Sequence, residues 1–372
     1  MLTEKTGRGA IASASSGPAI TKPKLSASAH ALALLSRIWA WLFLILLVAF
    51  FAVTTPHFFD LFNFQSMGAN AAVMLVLALG QTYVIITGGI DLSVGYVMGL
   101  ATIVISLTMQ ALVGYPFPIV VLAGLLAGLS VGVVAGLING AIIAKLNVPP
   151  FIATLGTLGI AQGLAYVLSG GPPVSIPLPG LGTLGNGYIF YYHATYGFSL
   201  FGIPAGVTGA EMRNVSGFIP LQIFYAGVLT AILAWLLSST RFGRHVYAIG
   251  GNSKAALRAG IPVKRNLLMV YVLSSVMASL AGFMYVMRYT GGVANSGDAM
   301  MLSSIAAIVI GGASLLGGEG RILGTLVGAM IIAVIQNGLV LLGIDPFWQY
   351  AAVGVVIILA VLADQAKFRI RR

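Results

Sequence analysis

The chain has 372 residues, of which 59% are hydrophobic and 7% charged, and its mean hydropathy is +1.01. Soluble domains carry about 25% charged residues, so a soluble globule is excluded, and apolar runs recur without a long polar break, as in one membrane domain. The formal net charge of +11 rests on Lys and Arg placed between those runs, where orientation in a bilayer accounts for it and nucleic acid is not implied; with no cysteine, disulfides, thiol catalysis and Cys-ligated zinc are excluded.

Residues 1–35 are rich in Ala, Ser, Gly and Lys and bury too little apolar surface to order themselves, so a disordered cytoplasmic tail is expected. The first apolar run, 38–53, follows a polar stretch too long for a signal peptide. Its end, Val53-Thr54-Thr55-Pro56-His57, lacks a small-residue cleavage site, so it reads as an uncleaved span. A hydrocarbon core of roughly 30 Å takes about 20 apolar residues in a helix. That rule places spans near 36–54, 67–87, 95–112, 118–140, 151–168, 219–238, 267–289, 300–317, 322–342 and 347–363. The expected class is an all-α integral membrane protein of about ten transmembrane helices, with a transmembrane domain over 36–363 and a basic cytoplasmic tail over 364–372.

Short cytoplasmic loops accumulate Lys and Arg. With ten spans and both termini inside, 17 basic residues fall on the cytoplasmic side, and only Arg213 and Arg288 fall outside. The external segment 169–218 mixes Gly and Pro with Tyr188, Phe190, Tyr191, Tyr192, Tyr196 and Phe198; it reads as an interfacial aromatic belt with a re-entrant turn, or as a docking surface for an external partner. The cytoplasmic segment 240–266 holds a dense basic cluster and is the best place for a soluble partner. Asn139-Gly140 and Asn337-Gly338, each followed by an apolar run and a Pro-Phe pair, fall on opposite sides as an inverted repeat requires. Gly88-Gly89 and Gly311-Gly312 fall on the same side, so a repeat stays open.

No phosphate-cradling G-x-x-x-x-G-K-[ST] string occurs, nor H-E-x-x-H, nor G-x-S-x-G. Ionisable groups are nearly absent from the spans, whereas ion-coupled transporters need them there, so energy has to come from a partner that hydrolyses ATP. Asp91 is the acidic residue nearest a membrane face; it reads as a cap for a helix starting at Leu92, or as a substrate or ion ligand. Neutral polar residues inside apolar spans are Asn70, Gln81, Thr82, Tyr83, Asn139, Gln162, Gln336 and Asn337. They are candidates for lining a pathway for an uncharged hydroxylated molecule, or for interhelical glue.

Three strings carry a resemblance: Thr87-Gly88-Gly89-Ile90-Asp91-Leu92-Ser93-Val94-Gly95, Arg241-Phe242-Gly243-Arg244-His245-Val246-Tyr247-Ala248-Ile249-Gly250-Gly251-Asn252, and Ile305-Ala306-Ala307-Ile308-Val309-Ile310-Gly311-Gly312-Ala313-Ser314-Leu315. In this order and spacing, over roughly 36–363, the chain resembles the permease family of ribose-type ABC (ATP-binding-cassette) sugar importers. The resemblance implies an importer permease fold in the bacterial inner membrane, working as a homodimer among membrane lipid. It also implies a cytoplasmic ABC ATPase that holds ATP and Mg, and a periplasmic or external sugar-binding protein; this chain itself would bind no cofactor and catalyse no reaction. Departures from the family pattern lie at Met301-Leu302-Ser303-Ser304 and Ser253-Lys254.

In that family the loop around Gly243 to Gly260 carries a short coupling helix that sits in a groove on the ATPase. The residues fit: Asn252 or Ser253 can cap, Lys254-Ala255-Ala256-Leu257-Arg258 reads as helix, Gly260 ends it and Pro262 blocks continuation. The expected coupling residues are Gly243, Arg244, Asn252, Ala255, Ala256 and Gly260, and the alternative is a plain positive-inside connector. Rival functions are a branched-chain amino acid ABC permease, an ion-coupled secondary transporter, and a membrane-embedded enzyme, the last without any nucleophile–base or metal cluster to support it.

Overall fold

A computed structural model describes residues 27–345 and 347–370. The expected tail lies, for residues 1–26, outside the described residues; helix begins at Ala27 instead of 36. The chain divides into two units, Met1–Trp39 and Ala40–Arg372. The helices in chain order are α1 (Ala27–Thr54), α2 (Leu61–Ile86), α3 (Val94–Ala111), α4 (Phe117–Ala144), α5 (Pro150–Ser169), the short α6 (Leu181–Asn186), α7 (Leu221–Ser239), α8 (Arg241–Arg258), α9 (Val263–Tyr289), α10 (Asp298–Ile310), α11 (Ile322–Leu341) and α12 (Phe347–Ile370). Prolines at or just before the first turn set the starts of α4, α5, α7 and α9, where a fixed φ suits a helix and the missing N–H is not needed.

Each expected span coincides with a helix, but among the described residues only seven helices are long and apolar enough to cross a membrane: α2, α3, α4, α5, α7, α9 and α11. The segment expected at 300–317 is α10, which has 13 residues and stops at Ile310. Its second half is instead a glycine turn, with Gly312, Gly317 and Gly318 in the left-handed region that ends helices. The expected C-terminal tail is helical through Ile370 as part of α12.

Helix α2 is buried nearly all round, from Ala72 to Ile86, and α9 crosses it where Gly80 leaves room for Ser274 and Met277. On its other side α9 packs against α4 along Gly132, Gly136 and Gly140, where any Cβ would strike α9 backbone. Without a hydrophobic force between helices in lipid, such small-residue ridges allow close van der Waals approach. The outward faces of α4, α5 and α7 carry Leu126, Val134, Ile160, Val167, Ile232 and Trp235 fully or half exposed, an arrangement suited to hydrocarbon and not to water.

The long segment before α7 is more ordered than an aromatic belt with a turn. β2 (Tyr188–His193) pairs antiparallel with β3 (Gly197–Leu200) on one side and β4 (Ser216–Pro220) on the other. Short β1 (Val174–Ser175) pairs with β5 (Gly291–Gly292) after α9. The aromatic run 188–193 is strand because Tyr and Phe suit a pleated surface, with Gly197 at φ +76 opening β3 after the turn.

Candidate functional site

At one end of the bundle the second string forms α8, which meets the chain just before the first string, at Ile86, and just after the third, at Gly318 and Gly320. Thr240 caps α8 by accepting from the Gly243 amide at 3.2 Å. Val246 and Ile249 turn inward. The helix breaks at Asn252, whose φ of −162° and ψ of 100° are extended, and resumes as Asn252 Oδ1 accepts from the Ala255 amide at 2.9 Å. It ends at Gly260, φ +80, with the Gly260 and Ile261 amides donating back to Leu257 and Ala256 carbonyls, each at 3.1 Å. The expected Asn cap and Gly stop are therefore present on a short helix of the expected length, preceded across the break at Asn252 by a helix from Arg241 that was not expected.

Of the expected coupling residues, Arg244, Asn252, Ala255 and Gly260 are exposed. Gly243 and Ala256 are not: a Cβ on Gly243 would strike the Leu237 backbone, and Ala256 packs with Ile249 and Val263. These two are held against their own chain, because an i, i+3, i+4 stripe of small and apolar residues seats α8 on α7 and α9.

Gly250 is the centre of a three-way joint. A Cβ there would meet the Ile86 carbonyl at the end of α2 and the Gly318 amide in the turn after α10, and those two groups are themselves bonded, Gly318 N–H donating to Ile86 O at 2.8 Å. Tyr247 donates to the Gly320 carbonyl at 2.7 Å; burial raises its phenol pKa, against the opposing effect of nearby Arg321. Displacement of α8 thus bears directly on the end of α2 and on the turn between α10 and α11.

Behind the joint lies a buried polar network. Asp91 Oδ1 accepts from the Ser93 amide at 3.0 Å and the Ser93 hydroxyl at 2.6 Å, and Oδ2 accepts from Ser274 of α9 at 2.9 Å. It is not the cap expected for a helix at Leu92, since α3 starts at Val94 with Ser93 at its N-cap. Asp91 instead makes a local side-chain turn and ties it to α9. Gln81 donates to the Asp91 carbonyl at 2.7 Å and accepts from Ser304 at 2.8 Å. Asn139 donates to Ser93 at 2.9 Å and accepts from Thr157 at 2.6 Å. Thr82 bonds Thr325 at 2.8 Å, and Tyr83 donates to the Leu233 carbonyl at 2.6 Å. Gln81, Thr82, Tyr83 and Asn139 are therefore spent on joining helices; their partners lie too far off in sequence to be foreseen.

Toward the opposite end, a cavity of about 620 Å³ opens between α2, α9, α10, α11 and α12. Three expected residues, Asn70, Gln336 and Asn337, line it, joined by Asn63, Ser66, Ser303, Gln349 and Arg288, which sequence reasoning passed over. Arg288 Nη2 donates to Asn70 Oδ1 at 2.9 Å, and Asn337 Nδ2 donates to Asn63 Oδ1 at 2.9 Å. At the rim His57 sits 2.9 Å from Asp60. The signal for Arg288 was its place as one of two basic residues outside the positive side. Gln162 lies apart, donating to Tyr96 at 3.2 Å.

Residues 65–361 match a family model described as the branched-chain amino acid transport system / permease component. Among curated proteins, the ribose import permease protein RbsC of Bacillus subtilis (strain 168) is 39% identical, covering 90% of this chain and 94% of that protein. RbsC of Escherichia coli (strain K12) is 36% identical, over 87% and 92%. The galactose/methyl galactoside import permease protein MglC of Escherichia coli (strain K12) is 36% identical, over 87% and 93%. No solved structure matches the chain significantly.

Proposed function

The chain belongs to the branched-chain amino acid transport system / permease component family, and on that premise we propose that it is the permease subunit of an ABC importer that carries a sugar across the bacterial inner membrane. It is a multi-pass transport subunit, not an enzyme; a separate ATPase subunit hydrolyses ATP with Mg, and an external binding protein delivers the sugar. Two copies form the working permease. Each copy has ten spans over 36–363 with both termini inside, and its C-terminal end is basic. Lipid covers its apolar outside, including a groove of about 630 Å³ walled by Phe117, Leu122, Phe224 and Phe283.

The observation that carries this function is the joint at Gly250. A helix on the basic, cytoplasmic side, with Arg244, Asn252, Ala255 and Gly260 facing outward for an ATPase to grip, is packed on the end of α2 and on the glycine turn between α10 and α11. Force applied there reaches the spans through packing. A sugar is favoured over a branched-chain amino acid because the similar proteins named above import ribose and galactose. Asp91 serves structure.

Reconstitution with its ATPase and binding protein in vesicles at clamped ion gradients tests the reading. Labelled D-ribose or D-galactose should accumulate only with ATP, and cysteines placed at 254 and 213 should label from the inside and outside respectively. Uptake driven by an ion gradient without ATP would overturn it.

A further inference from the structure

The cavity between α2 and α11 has features of a ligand site that the transport function alone does not require. It is formed by a single copy of the chain, with Asn63, Ser66 and Asn70 at i, i+3 and i+7 on one face of α2. Its volume of about 620 Å³ falls inside the roughly 300–1,000 Å³ range of small-molecule sites. Its wall is mostly apolar, with a few convergent amides and hydroxyls, the usual composition of such sites.

Those polar groups are incompletely used. Asn337 Oδ1 is buried without a hydrogen-bond partner, and Gln336 has only a long 3.4 Å contact to Ser303. The Asn337 oxygen is closed off among the helices, so the groups free to meet a molecule in the cavity are the half-buried Gln336 amide and the Arg288 guanidinium. Arg288 spends one donor on Asn70, and among the described residues no carboxylate lies within ion-pair distance of it. A hydroxyl both donates and accepts, and an array of hydroxyls on a small ring matches amides that offer both functions and a guanidinium that offers donors.

We propose that this cavity is a binding subsite for one neutral, monosaccharide-sized polyhydroxylated molecule, complete within a single protomer. It rests on the sugar-importer reading and adds to it where the molecule pauses. Gln336 and Arg288 read the hydroxyls, Asn337 shapes the wall beside them, and a permease pair holds two subsites. Because the cavity shares an end with Arg288, the charge distribution puts it on the outer side, ahead of the joint.

The purified full-length chain in lipid nanodiscs, without ATPase or binding protein, is titrated with D-ribose and D-galactose by saturation-transfer-difference NMR. Equilibrium dialysis with the labelled sugar counts the sites. At least one sugar should bind at one site per protomer. Binding should weaken at least about tenfold in Asn337→Leu and in Gln336→Met, with Ser303→Ala as a milder variant that retains the fold, while Ser130→Ala on the far face of α4 should leave it unchanged. Monodisperse elution confirms folding of each variant. Binding that none of the cavity variants alters, or no binding while the complete transporter still takes up the sugar, overturns the subsite and leaves the transport function standing. Loss of both binding and uptake overturns both.

Discussion

Replacing Gly250 by alanine adds one methyl group at the point where three segments meet. Neither Gly250 nor its neighbour Gly251 has a left-handed φ, so alanine suits both backbones, and in a helix it is favoured over glycine by about 0.5–1 kcal/mol. At Gly251 nothing lies within 4 Å of the new methyl, and Gly251→Ala should be neutral or slightly stabilising. At Gly250 the methyl lands on the Ile86 carbonyl and the Gly318 amide, both backbone and unable to rotate away. Overpacking costs about 1–3 kcal/mol, and separating the Gly318–Ile86 hydrogen bond forfeits about 0.5–1.5 more. After the helix gain, Gly250→Ala should lose about 0.5–4 kcal/mol, a melting point lower by several degrees at the middle of that range. Fluorescence-detected size exclusion after heating measures that loss, and the reconstituted complex measures coupling. ATP hydrolysis by the bound ATPase should persist while sugar uptake falls. If Gly250→Ala and Gly251→Ala melt and transport alike, the joint does not link α8 to α2 and the turn after α10.

Asp91→Asn should keep most stability and uptake, because its carbonyl oxygen still accepts from Ser93 while Ser274 can turn to accept from the amide; Asp91→Ala strands the Ser93 amide and should cost about 2–4 kcal/mol. A well-folded Asn variant that fails in uptake would show that the carboxyl has a transport role. Ala255 is exposed and Ala256 buried at 4%, so Ala255→Trp should insert and melt normally yet no longer co-purify with the ATPase, whereas Ala256→Trp should disrupt the layer of Ile249 and Val263. Normal co-purification of Ala255→Trp would remove α8 from the docking surface.

The helices were legible because a run of about 20 apolar residues has one stable form in a bilayer, and the last turn of α8 was legible because Asn252, Gly260 and Pro262 act locally. The break at Asn252 inside one long helix was not: Arg241 to Gly251 is basic at its start and ends in glycines, and only its packing on Leu237, Ile86 and Gly318 makes it helical. The sheet of β2, β3 and β4 was hidden for a related reason. Six aromatic residues near a membrane face fit an interfacial belt equally well, and the choice depends on pairing with Ser216–Pro220, far along the chain.

The neutral polar residues of the spans could not be sorted by sequence, yet the structure sorts them on a physical criterion. An amide can satisfy its partners or wait for one. Gln81 has both ends engaged, with Asp91 and Ser304, and so does Asn139, with Ser93 and Thr157. Such side chains have nothing to offer a passing molecule, and in lipid they hold helices in register. Asn337 shares the hydrophobic surroundings and nearly the same sequence context, Asn-Gly within an apolar run, but its oxygen is buried and unmatched beside a cavity. The two ends of α2 therefore differ: the amides around Asp91 are fully engaged between helices, whereas at the other end Gln336, with only a 3.4 Å contact to Ser303, lines a cavity beside Arg288, which is why the proposed subsite is tested there.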